Sequence, residues 1–237
     1  MECNLHPLGD NGIIIQLGEE ISVGTREKVK SVSALLDRFT ELDWFVEYIP
    51  AFTTVTVIYD PAAVSFGSQG ESPYIMVSDK LAKGIADLKT TVTENERIVE
   101  IPVCYGGELG PDLKYVADVN RISADEVIHL HSTGDYIVHM IGFAPGFPYI
   151  GGMPEQISAP RKKSPRLKIP AGSIGIAGSQ TGVYPIETPG GWQLIGRTPL
   201  KLFRPEKEIP SLLRAGDKIK FVPITLEEYR SWEDSDK

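Results

Sequence analysis

The chain lacks most of what builds a covalent or metal-held scaffold. Only two of its 237 residues are cysteines, Cys3 and Cys104. Neither lies in a C-x-x-C pair, which argues against a disulfide framework and a zinc site. Histidines number four. His129 and His131 are two apart, a spacing that sends them to different faces of a helix. His139 falls in an apolar strand-like run and reads as a core residue, so no metal site is expected. No apolar run approaches the ~18 residues of a membrane span. The opening MECNLHPLGD has neither a basic n-region nor an apolar h-region, so no secretory signal is expected and the expected setting is a reducing cytoplasm. Positive charge is the minority: 24 Lys and Arg against 32 Asp and Glu give a net −8, the wrong sign for nucleic acid or an anionic membrane. H-E-x-x-H, G-x-S-x-G and the dinucleotide G-x-G-x-x-G are all missing. There is no internal repeat.

What is present reads as an α+β chain with two textures. In the first hundred residues, 13–17 is a β-branched apolar run and therefore a strand. Between 21 and 39 the apolar positions Val29, Val32, Leu35, Leu36 and Phe39 recur at helical steps. Stretches 44–49 and 53–59 alternate like strands, 65–73 is a Gly/Ser-rich loop, 73–88 a helix opened by Pro73, and 98–103 a strand. The order β-α-β-β-α-β predicts a small sandwich. A helical pair follows over 111–119 and 123–130, the second opened by a Ser123–Glu126 capping box; Thr225–Glu228 is another, at the start of a terminal helix.

The texture changes at Gly142. Residues 142–199 hold 11 of the 23 glycines and 9 of the 18 prolines. Helices do not tolerate that density, whereas short strands joined by tight turns do, so a β-barrel or sandwich is expected. Charge changes too: between 156 and 205 eight Lys and Arg face one acid, Glu187. This is either an anion site or a solvated basic face. GFAPGFPY (142–149) sets aromatics on rigid turns, as the wall of a pocket or as a plug under a loop. PAGSIGIAG (170–178) and QTG (180–182) allow backbone amides to approach a ligand, or pack a barrel corner. GWQLIGRT (191–198) has P-loop spacing with Arg in the Lys position, but its middle residues are bulky and Pro199 disfavours a helix there, so it reads as a strand.

Five stretches, IPVCYGGE (101–108), GFAPGFP (142–148), IPAGS (169–173), QTGVYP (180–185) and TPGGW (188–192), resemble the KipI family in sequence and in order. LLRAGDK (212–218) agrees. That family is also known as the B subunit of 5-oxoprolinase, or as allophanate hydrolase subunit 1, and the resemblance covers essentially the whole chain. It implies a small N-terminal α/β sandwich over 1–96 and a cyclophilin-like β-barrel over 97–237. It further implies two partners: the KipA-like C subunit of 5-oxoprolinase, and an A subunit that opens the lactam. The implied reaction is hydrolysis of 5-oxoproline to glutamate with ATP, shared with the partner and accompanied by Mg. The chain alone is then inactive, and no nucleophile or general base is identified. Within that picture Arg161, Arg166 and Arg197 are expected to hold the substrate carboxylate or transferred phosphate. Ser173, Gln180, Thr181 and Tyr184 are expected to hydrogen-bond the lactam, with Phe143 and Phe147 as walls. The resemblance also implies an alternative, inhibition of a sporulation histidine kinase relieved by the KipA-like partner. Proline isomerisation is suggested by fold analogy alone.

Overall fold

The computed structural model describes residues 1–65, 70–88 and 97–235, with only the backbone at 65 and 233–235. The chain divides into two compact units, Met1–Asn95 and Glu96–Lys237. The boundary expected at 96–97 abuts 89–96, and much of the loop expected over 65–73 is 66–69; both stretches lie outside the described residues.

The first unit is a four-stranded antiparallel sheet under two helices. Its strands are β1 (Asn4–Leu8), β2 (Gly12–Gln16), β3 (Phe45–Pro50) and β4 (Thr54–Tyr59), in the order β1-β2-β4-β3. Helix α1 (Val23–Leu36) is capped by Ser22, whose Oγ accepts from Thr25 N–H at 3.1 Å. A short α2 (Pro61–Ser65) precedes α3 (Pro73–Ala86). Apolar positions at helical spacing, Val29, Val32 and Leu36 on α1 and Val77, Leu81 and Ile85 on α3, close over Ile13, Ile15, Val55 and Val57 of the sheet.

This differs from the expected element order in two ways. The strand at the amino end, β1, has no counterpart in the sequence reading: its sequence NLHPL leaves nearly every residue exposed and carries a proline, which only an edge strand accepts. The strand near residue 98 belongs to the second unit and not to this sandwich.

The second unit is a closed seven-stranded barrel. Its members are β5 (Ile98–Tyr105), β6 (Tyr136–Ile141), β7 (Pro148–Gly151), β9 (Ser173–Ala177), β10 (Gln180–Val183), β12 (Gln193–Arg197) and β13 (Lys218–Pro223). They close in the order β10-β7-β6-β13-β5-β12-β9, with β13 parallel to β5. A separate two-stranded ribbon pairs β8 (Arg166–Ile169) with β11 (Thr188–Gly190). The expected α+β chain with a carboxy-terminal barrel is thus what the protein has. Helices α4 (Leu113–Asn120) and α5 (Ala124–Thr133) press Val116, Ala117 and Val127 into the barrel core. The terminal α6 (Leu226–Ser235) opens with the expected reciprocal cap: Thr225 N–H donates to Glu228 Oε2 and Glu228 N–H to Thr225 Oγ1.

Two layers share the wall made by β9 and β10. Ile174, Ile176 and Val183 belong to the barrel core with Ile101, Val103 and Phe221. Phe147, Ile169, Tyr184 and Leu194 form a second, smaller cluster with Trp192 packed against it. Strand alternation explains the division: neighbours on one strand point to opposite faces.

Candidate active site

The second cluster is the back of a cleft on the outer face of the barrel wall. Gly175 and Gly182 are register partners across β9 and β10. A methyl group on Gly175 would lie 3.0 Å from Trp192 Cβ, and one on Gly182 3.1 Å from Trp192 Cζ3. These glycines leave the wall bare so that the indole lies flat against it. Phe147 anchors the rings around it, edge-on to Tyr149, Tyr184 and Trp192 at centroid distances of 5.5, 5.9 and 6.1 Å. The T-shaped arrangement is the favoured one for aromatic rings.

The lip is the tight turn between β6 and β7. Gly142 N–H donates to Phe147 O, and Phe147 N–H to Ala144 O, each at 3.0 Å. Phe143 sits there with φ 68°, a left-handed conformation that costs a non-glycine residue about 1–2 kcal/mol. Its side chain is 73% exposed and edge-on to Phe147 at 5.5 Å. Phe143 is thus a strained aromatic exposed beside a cavity and not packed in the core.

The cleft has a volume of about 180 Å³. Phe143, Phe147, Arg161, Gln180 and Tyr184, five of the candidate site residues named from the sequence, all line it. Tyr149 and Trp192 line it too and were not expected individually, although both lie at or beside the motifs quoted above. Arg161 stacks over the Trp192 ring at 6.0 Å and is exposed, with no carboxylate partner among the described residues. Burial pushes the Tyr184 hydroxyl up to about 12, against the smaller opposing pull of Arg161, the Trp192 backbone and Arg166, so it stays a neutral donor.

The other four expected site residues are not brought to this cleft. Arg166 is committed to Asp112: Nη2 donates to Oδ1 at 2.9 Å and Nη1 lies 2.8 Å from Oδ2. Asp112 also takes Lys162 Nζ at 3.3 Å and Leu194 N–H at 2.7 Å. Burial alone would raise the Asp112 carboxyl, but the Arg166 and Lys162 bonds and the Leu194 amide outweigh it and hold the carboxyl below its ordinary value. Nothing in the sequence around Asp112 marks it as the hub of this cluster.

Thr181 and Ser173 are fully enclosed. Thr181 Oγ1 donates to Gly175 O at 3.2 Å and meets His131 Nε2 at 2.9 Å; His131 Nδ1 meets Tyr105 Oη at 2.7 Å. With its hydroxyl proton spent on Gly175, Thr181 accepts from Nε2–H, so Nδ1 accepts from Tyr105. Burial drives the His131 imidazole down to about 3, which keeps it neutral. Ser173 and Arg197 are register partners on β9 and β12, and neither Ser173 Oγ nor Arg197 Nε has a hydrogen-bond partner among the described residues. Stretch 191–198 is the strand β12 with its preceding turn, not a phosphate loop.

The carboxyltransferase domain model, subdomain C and D, matches residues 3–213. The B subunit of 5-oxoprolinase from Bacillus subtilis is 51% identical over 232 residues, 97% of this chain and 96% of that protein. The chain belongs to the family of 5-oxoprolinase B subunits. Its namesake from Escherichia coli O157:H7 is 41% identical over 91% of this chain and 94% of its own length. Among solved structures, TTHA0988 superposes with a TM-score of 0.74 at 33% identity over 90% of this chain; the chain spans 40% of that longer protein. The family resemblance read from the five motifs is therefore correct. Among the described residues no helix is long and apolar enough to cross a membrane.

Proposed function

We propose that the chain is the B subunit of an ATP-dependent 5-oxoprolinase, acting with the A and C subunits, and that the aromatic cleft binds the lactam. The supporting observation is Arg161 stacked on Trp192 at the mouth of a cavity of about 180 Å³. That space is below the ~300–1,000 Å³ typical of drug-sized ligands and suits a single five-membered ring. Its polar groups are complementary to 5-oxoproline. Arg161 supplies a cation for the carboxylate, Gln180 a donor and an acceptor for the cis amide, and Tyr184 a neutral hydroxyl. Phe143, Phe147 and Trp192 exclude water from the ring.

An unstrained lactam resists hydrolysis, and ATP supplies a phosphoryl group that activates its amide oxygen. The residues here fit that task, because cations beside the cleft stabilise phosphoryl charge. Among the described residues no group of three or more His, Cys, Asp or Glu converges to hold a metal. Magnesium would then come with the phosphates, as it commonly does. The chain's own part is to orient the amide, neutralise the carboxylate and keep the cleft dry.

The test is turnover in the reconstituted three-subunit complex. Arg161→Ala should lower kcat/KM for 5-oxoproline by about 10–100-fold, the cost of a lost charge-assisted bond. Arg197→Ala, outside the cleft, should change it little. Full activity of the Arg161→Ala complex would remove the cleft from the reaction.

A further inference from the structure

A second lobe shares Arg161 with the cleft. Its volume is about 530 Å³, and Tyr115, Arg161, Lys162, Lys163, Ser164 and Gln193 are among its lining residues. Most of its lining comes from the turn PRKKSP (160–165), which is held at several points. Lys162 N–H donates to Gly191 O at 2.7 Å, and Gln193 Nε2 donates to Pro160 O at 2.7 Å. Prolines at both ends restrict the backbone further. Lys162 Nζ leans on the buried Asp112, which fixes the base of the turn.

The charge of this lobe is arranged unlike that of the lactam cleft. Arg161, Lys162 and Lys163 line it with a single carboxylate, Asp112, which is consumed by its bonds to Lys162 and to Arg166. Arg161 and Lys163 are exposed and have no carboxylate partner among the described residues. A lone carboxylate ligand needs one cation. A row of cations with a serine hydroxyl, spread along a lobe of this size, fits a ligand that carries several negative charges in line. Tyr115 of α4, 43% exposed at the edge of the lobe, offers an aromatic face to a flat ring.

We propose that this lobe holds the polyphosphate chain of a nucleotide, with Arg161 shared between the phosphates and the lactam. The inference rests on the lactam-activating function above and adds where, on this chain, the phosphoryl donor lies. Lys163 and Ser164 are the phosphate-binding groups, Lys162 is set in place by Asp112, and Arg161 faces the junction where donor and acceptor meet.

The experiment is equilibrium binding to the full-length chain by calorimetry, with inorganic tripolyphosphate, MgATP and AMP as probes and 5-oxoproline in parallel. Tripolyphosphate and MgATP should bind, with AMP at least about tenfold weaker, and Lys163→Glu should weaken the first two by about tenfold or more. Lys168→Glu, the same charge change on a residue that does not line the lobe, should leave both affinities in place. Lys163→Glu should also leave 5-oxoproline binding unchanged. Absence of binding at millimolar probe, or equal losses in the Lys163 and Lys168 variants, would overturn the proposal. So would a Lys163→Glu chain that loses an acidic protein partner while neither chain binds the phosphate probes, which would make the turn a docking surface. In each of these cases retained 5-oxoproline binding would leave the lactam cleft standing, so the two readings fail separately.

Discussion

At the residue scale the site depends on what two glycines leave out. Gly175 and Gly182 are ordinary members of a glycine-rich run in the sequence, and only the structure shows that both face Trp192. Gly175→Val is expected to displace the indole and cost about 1–3 kcal/mol, read as a lower denaturation midpoint with 5-oxoproline binding weakened. His131 makes a second prediction. Its imidazole is held near 3 in the folded protein against 6.5 when free, with burial as the cause. Below 6.5 the unfolded chain takes up a proton that the folded chain refuses. Its contribution is therefore complete above 6.5 and is lost as pH falls toward 3, with a slope of about 1.4 kcal/mol per pH unit. Gln at 131 can accept from Tyr105 and donate to Thr181 without titrating, so denaturant midpoints of His131→Gln should lose that slope. A wild-type midpoint flat from pH 6.5 to 4 would contradict the assignment. The helical spacing of His129 and His131 correctly separated them, but it could not reveal a hydrogen-bond chain whose members are 26 and 50 residues from His131.

At the element scale, periodicity carried the first unit well. Helices α1 and α3 and strands β2, β3 and β4 follow their apolar patterns to within a few residues. β1 escaped because an edge strand buries almost nothing and so has no pattern to read. Periodicity made the strand near residue 98 legible as a strand, and only the family resemblance placed it in the barrel half, since its parallel pairing with β13 joins residues 120 apart. Long-range pairing of this kind leaves no local trace. Asp112 is the same lesson in a side chain: one acid at the start of α4 ties Lys162, the ribbon strand β8 through Arg166, and the backbone of β12 through Leu194. Removing it leaves Arg166 and the Leu194 amide without their acceptor. Asp112→Ala should therefore cost about 2–3 kcal/mol in urea unfolding. It should also loosen the 160–165 turn, seen as faster amide exchange at Lys162. A variant as stable as wild type would mean that the cluster is decorative.

At the scale of the whole molecule, a net charge of −8 conceals a barrel face that is locally cationic, and the cleft and the second lobe both lie on that face. Five of the nine site residues read from the sequence, Phe143, Phe147, Arg161, Gln180 and Tyr184, meet there because aromatic, cationic and amide side chains came from one Gly/Pro-rich segment. The remaining four shared the segment but do not line the cleft: strand alternation turned Thr181 inward, an ion pair claimed Arg166, and Ser173 and Arg197 sit opposite each other on β9 and β12. The decisive experiment on the assembled enzyme is ATP-dependent release of glutamate from 5-oxoproline by the A and C subunits, with and without this chain. Glutamate should appear only when the chain is present, at a rate that saturates with its concentration. Equal glutamate release in its absence, or none in any combination of folded subunits, would contradict the proposed function and shift attention to a regulatory role such as kinase inhibition.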